Sequence, residues 1–187
     1  MRILLSKPDA LGDQLIAAGP VQELLRRRPD VRLVWHVAAT REAVAPLLGA
    51  DVFAPDWRNR PAAEEAARLA AHPSRLVLLP FPLDAHEPWT DDLRGRLRWW
   101  HDFLRATSWD ACVLGLVNRT WVGDFTALVA PAALRFGFDP LPMRQPLVNE
   151  ARALAGADAP AFTRAEIAAA GPGAATPGPV IPVAARP

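Results

Sequence analysis

Short apolar runs alternate with helix-patterned segments along most of this chain, and that alternation restricts it to a parallel sheet wrapped by helices. Residues 3–6 form an apolar run suited to a strand buried on both faces. The following helix pattern places Leu15, Ile16, Val21, Leu24 and Leu25 at apolar positions, with Gly19-Pro20 expected to kink or divide it. Arg26, Arg27 and Arg28 then meet the negative end of the helix dipole, which reads as a solvated helix terminus and not as an acceptor site. Residues 31–37 are β-branched and aromatic and predict a second strand, 41–48 a helix and 51–53 a short third strand. Pro61 opens an alanine-rich helix ending near residue 71, and 76–79 and 111–117 are further strand candidates.

Between those last two strands, residues 92–107 carry Leu93, Leu97, Trp100 and Leu104 at helical spacing, with Arg94, Arg98 and Arg105 on neighbouring faces. The apolar stripe predicts a helix docked on the sheet, with Trp99 alone lacking a place on it. An arginine- and tryptophan-rich helix also fits a membrane surface.

Several function classes drop out on composition and motif. The length of 187 residues accommodates one ordinary domain, or one domain and a fragment. A net charge of +1 creates no field that would attract nucleic acid. Cys112 is the single cysteine, so no internal disulfide can form; it reads as a small core residue in a chain from a reducing compartment, with cytoplasm as the expected location. His36, His72, His86 and His101 lack metal-ligand spacing and read as ordinary scattered histidines, so no metal is expected. The first apolar run is too short for a signal peptide, and nowhere do about 18 apolar residues run together. Neither the dinucleotide and phosphate-loop glycine patterns nor the serine nucleophile elbow occurs.

Chemistry is therefore sought in the loops that follow the strands, because open α/β sheets keep their ligands at the carboxyl edge. The first loop reads Lys7-Pro8-Asp9-Ala10-Leu11-Gly12-Asp13 and brings a carboxylate to that edge. Lys7 is the chain's only lysine. Its compact ammonium suits orienting Asp13 or an anionic ligand, or it is a solvated residue at a strand end. Asp13 by itself also fits a helix N-cap. After residues 111–117 come Asn118-Arg119-Thr120-Trp121-Val122-Gly123-Asp124 at the same edge. Arg119 offers a planar fork for a phosphate or carboxylate, or simply begins a helix, and Asp124 reads as a helix-start residue.

The triplet Leu11-Gly12-Asp13 after the first strand resembles the amino-terminal signature of the family 9 glycosyltransferases, the heptosyltransferase-like enzymes of lipopolysaccharide assembly. Arg135-Phe136-Gly137-Phe138-Asp139 is similar, more loosely, to a later segment of that family. The resemblance implies that residues 1–150 form the Rossmann-like acceptor domain of a GT-B fold. Asp13 would be the catalytic base, and Lys7, Gly12, Asn118 and Arg119 would contact the acceptor. The implied reaction is inverting transfer of a heptose-like sugar from a nucleotide-diphosphate donor to a lipid-linked saccharide. It needs no cofactor or metal, and it takes place in the cytoplasm with contact at the inner membrane face.

Beyond residue 150 the composition shifts, with 14 of the last 37 residues alanine. Thr163-Arg164-Ala165-Glu166 is a capping-box pattern, so 151–179 reads as a short helix and a Pro/Gly linker. Residues 180–187 resemble the opening strand and turn of the family's donor-binding domain. The expectation is thus an acceptor half with a truncated second domain, inactive in isolation. A non-catalytic remnant or saccharide-binding α/β module is the alternative.

Overall fold

The computed structural model describes residues 1–8, 10–39, 42–84, 87–115, 121–137 and 180–182. The apolar runs are strands: β1 (Arg2–Ser6), β2 (Arg32–Ala38), β3 (Asp51–Val52), β4 (Leu76–Phe81), β5 (Trp109–Leu114), β6 (Ala132–Gly137) and β7 (Val180–Pro182). The helices are α1 (Leu11–Arg27), α2 (Ala45–Leu48), α3 (Ala62–Ala71), α4 (Asp91–Arg105) and α5 (Trp121–Val129), with a 3-10 turn at Glu42–Val44. Six strands from the first 137 residues and the short β7 form one sheet in the order β3-β4-β2-β1-β5-β6-β7. Every neighbouring pair is parallel. This is a Rossmann-like α/β fold.

Handedness decides which face each helix covers. A parallel crossover is right-handed in nearly all proteins, so connections running in opposite directions across the sheet fall on opposite faces. The two connections that step toward the β3 edge put α1 and α2 on one face, packed on Ile3, Leu5, Leu33, Trp35 and Leu78. The three that step toward the β7 edge put α3, α4 and α5 on the other, packed on Leu4, Val34, Val77, Leu79 and Cys112. Alternate residues of each strand serve the two layers, which is why the strands are apolar throughout.

The amphipathic α4 is docked on the sheet. Thr90 caps it by accepting the Leu93 N–H at 3.2 Å. Leu93, Leu97, Trp100, Phe103 and Leu104 are fully buried, each contributing about 2 kcal/mol. Trp99 does have a place: its ring stacks on Phe81 and Phe103, and its indole N–H donates to the Arg60 carbonyl at 2.8 Å. Arg96 is also buried, paired with Glu87 at 2.6 Å and Asp92 at 2.9 Å. At the end of α1, Arg26 and Arg27 pair with Glu23 and Arg28 pairs with Asp30, all largely exposed, as a solvated terminus requires.

Two prolines lie inside regular elements. Pro20 does not divide α1, which runs unbroken from Leu11 to Arg27. It sits on the exposed side of the helix, where the carbonyl it leaves without an N–H partner can face water. Pro80 lies inside β4, which continues to Phe81. The Leu78 carbonyl accepts from Phe53 N–H on the β3 side, and residues two apart in a strand point the same way. The Pro80 nitrogen therefore faces the β3 side beyond the end of that two-residue strand, where no ladder partner is lost.

Of residues 180–187, which resemble the opening of a second domain, Val180–Pro182 pair with Arg135–Gly137 at the edge of the sheet. The linker and capping box expected within 151–179, and residues 183–187, lie outside the described residues. Among the described residues no helix is long and apolar enough to cross a membrane.

Candidate functional site

β1 and β5 are adjacent, with Ser6 opposite Leu114, yet β1 leads into α1 on one face while α5, the helix after β5, lies on the other. The helices that follow the two strands thus cover opposite faces, and such a topological switch point is where doubly wound sheets bind ligands. Lys7 lies across it. Its backbone N–H donates to the His36 carbonyl at 3.1 Å, and its ammonium donates to the Gly115 carbonyl at 3.1 Å. The Gly115 N–H in turn donates to the Ser6 carbonyl at 3.0 Å. Lys7 is 8% exposed, so it is not a solvated strand-end residue. A Cβ at position 115 would stand 3.0 Å from Leu5 Cδ1 and 3.3 Å from Lys7 Cδ, so the glycine is what allows the lysine stem to lie against the strand.

Asp13 is in the first turn of α1, exposed, and not its N-cap; Ala10 occupies the cap position and supplies no side-chain hydrogen bond. An acidic residue there still favours the helix, because its charge opposes the positive end of the dipole. Gly12 precedes it with open space where a Cβ would point, so sterics do not demand glycine at that position. Asn118 and Arg119 lie outside the described residues, as does the rest of the loop at 116–120. Asp124 falls in the first turn of α5, as its sequence context suggested, and is buried.

Lys7 and Asp13 line one cavity of about 610 Å³. Its floor is Ile3, Leu5, Val113 and Phe136 of the sheet, its wall is Ile16, Ala17, Pro20 and Val21 of α1, and Gly115 and Gly137 border it at the carboxyl edge. The volume falls within the ~300–1,000 Å³ common for small-molecule sites, and a mostly apolar lining with a few polar groups is the usual make-up of such sites.

Under the opposite face of the same edge is a polar pair that the sequence did not reveal. Ser6 and His36 are fully buried, with Ser6 Oγ 3.3 Å from His36 Nδ1. The imidazole packs on Trp100 at 4.8 Å between centroids, and the Trp100 N–H donates to Thr126 Oγ1 at 2.9 Å. Burial pushes the His36 pKa down to about 3, so the ring is neutral at physiological pH and holds the end of β1 to β2 as a hydrogen-bonding group. The available signal was position: His36 shares the strand face of Val34, two residues before it, within an otherwise apolar run. His101 and His72 lie elsewhere, and among the described residues no cluster of His, Cys, Asp or Glu is placed to hold a metal ion.

Comparison with protein-family models, curated proteins and solved structures gives no match for this chain.

Proposed function

We propose that this chain is the acceptor-binding half of an inverting glycosyltransferase of the family 9, GT-B type, acting on a nucleotide-diphosphate sugar and a saccharide acceptor. The observation that carries the reading is the meeting of Asp13 and Lys7 in one cavity at the switch point of a parallel sheet. Asp13 takes the proton of the acceptor hydroxyl as its oxygen attacks the anomeric carbon. The bond from that carbon to the diphosphate breaks with inversion. Lys7 holds the strand-end backbone in place and supplies positive charge beside the attacking group. The donor is held chiefly by a second lobe facing the carboxyl edge, and the acceptor is lipid-linked, met at the inner face of the membrane.

The test is a transfer assay with a donor-binding lobe fused after residue 187, nucleotide-diphosphate heptose and an acidic core-type oligosaccharide. Asp13→Asn and Asp13→Ala are each expected to lower kcat by about 100-fold or more, the usual contribution of a general base. Near-wild-type turnover in both variants would remove Asp13 from the chemistry. Saturable oligosaccharide binding with no turnover in any lobe fusion would leave a saccharide-binding module.

A further inference from the structure

We infer that Gly115 is a positioning residue for the proposed transfer: its missing side chain and its carbonyl together fix where the Lys7 ammonium stands. The part Lys7 plays in transfer rests on the acceptor reading above, whereas its placement rests on geometry.

Gly115 meets the end of β1 in three ways. Its N–H donates to the Ser6 carbonyl at 3.0 Å, one residue past the pairing of Ser6 with Leu114. Its carbonyl accepts the Lys7 ammonium at 3.1 Å. The Lys7 stem lies against the place a side chain would take, where an added Cβ would stand 3.3 Å from Lys7 Cδ and 3.5 Å from Lys7 Cβ. Glycine is needed here for room and not for conformation, since among the described residues the glycine with a left-handed backbone is Gly49. At Gly12, by contrast, a Cβ would meet nothing within 4 Å.

A side chain at position 115 must displace a neighbour, and its neighbours are unequal. Leu5 Cδ1, 3.0 Å from the added Cβ, belongs to a side chain packed in the core with Ile3, Leu33 and Trp35. Lys7 is a long flexible chain whose ordering already costs conformational entropy. Burial of its methylenes and the charge-assisted bond to the Gly115 carbonyl offset that cost. Lys7 is therefore the group that yields. Once its stem swings away, the ammonium loses that carbonyl, and the positive charge leaves its place beside the attacking hydroxyl.

Lys7 is the chain's only lysine, so amine chemistry and lysine labels read it directly. In the full wild-type chain carrying isotope-labelled lysine, NMR should show through-space contacts between the Lys7 methylene protons and the Gly115 α-protons. Their absence overturns the placement without recourse to any variant. Acylation by a succinimidyl ester, competed between Lys7 and the N-terminus, is then compared in the wild type, Gly115→Ala and Gly12→Ala. Lys7 acylation is expected to rise about tenfold or more in Gly115→Ala, the scale of losing a hydrogen bond from a charged donor, and to stay unchanged in Gly12→Ala. The buried Cys112 thiol reports on the core in the same samples. A rise at Lys7 with Cys112 still inert is the displacement expected; an equal rise at both groups, or none at Lys7, overturns the positioning role. In the transfer assay with the fused donor lobe, Gly115→Ala should lower kcat by about tenfold. Added to Lys7→Met it should lower kcat no further, because both changes act through one ammonium. Additive losses overturn the positioning role and assign Gly115 to the fold. A wild-type fusion without turnover sinks the transfer reading, and the NMR contacts and acylation rates still decide the placement.

Discussion

Lowering the pH from 7 to 5 should cost this fold about 2 kcal/mol through His36 alone. The imidazole is fully buried, against Trp100 on one side and Ser6 Oγ on the other, and burial holds its pKa at about 3. In the unfolded chain a histidine titrates near pH ~6.5. Between those values the unfolded state binds the proton and the native state does not, so stability falls as pH falls. The contribution is fully present above about 6.5 and is lost progressively toward about 3, with a total near 5 kcal/mol. Over the window from pH 7 to 5 the loss works out at about 2 kcal/mol, since most of it begins only below the unfolded pKa. The assay is urea unfolding followed by tryptophan fluorescence at both pH values, for the wild type and for His36→Asn. Asparagine keeps a polar atom near Ser6 but does not titrate, and carboxylates common to both proteins cancel in the difference. The wild type should lose about 2 kcal/mol more than the variant. Equal losses in the two proteins would refute the reasoning, because His36 would then be protonating in the native state at no cost.

Two further predictions concern the core. Arg96→Ala should cost about 2 kcal/mol in urea unfolding, because it removes charge-assisted bonds to Glu87 and Asp92 and a bond to the Pro82 carbonyl from a largely buried position. Cys112 is buried and its thiol is pushed up to about 12. At pH 8 the native protein should be inert to a disulfide reagent that modifies the urea-unfolded chain within minutes. Fast modification of the native protein would place the thiol outside the core.

The alternation of elements was legible because it rests on local signals. The β-branched run at Arg32–Ala38, the Leu93-Leu97-Trp100-Leu104 stripe of α4 and the alanine-rich α3 each announce their structure within a dozen residues. Local signals also misled. Gly19-Pro20 reads as a break, yet α1 has enough packed surface on Val21, Leu24 and Leu25 to carry a proline on its wet side. The strand read at 76–79 runs on through Pro80 to Phe81, because whether a missing N–H matters depends on how far the neighbouring strand extends. Trp99 had no place on the helical stripe because its partner, Phe81, comes from the end of β4. Of the candidate site, Lys7 and Asp13 were found from their position after the first strand, whereas the depth at which Lys7 is held follows from Gly115, 108 residues away.

By itself, then, the sequence determined the parallel α/β architecture and the presence of a charged loop at the carboxyl end of β1, since both follow from hydrophobic periodicity along the chain. Tertiary structure alone decided that Ser6 and His36 are a buried pair and that a cavity opens beside Asp13. It also decided that this cavity is apolar. The physical reason is the handedness of the crossovers: among the described residues it loads three helices on one face and two on the other. Which of these helices lines the cavity depends on strand order, which no local pattern encodes.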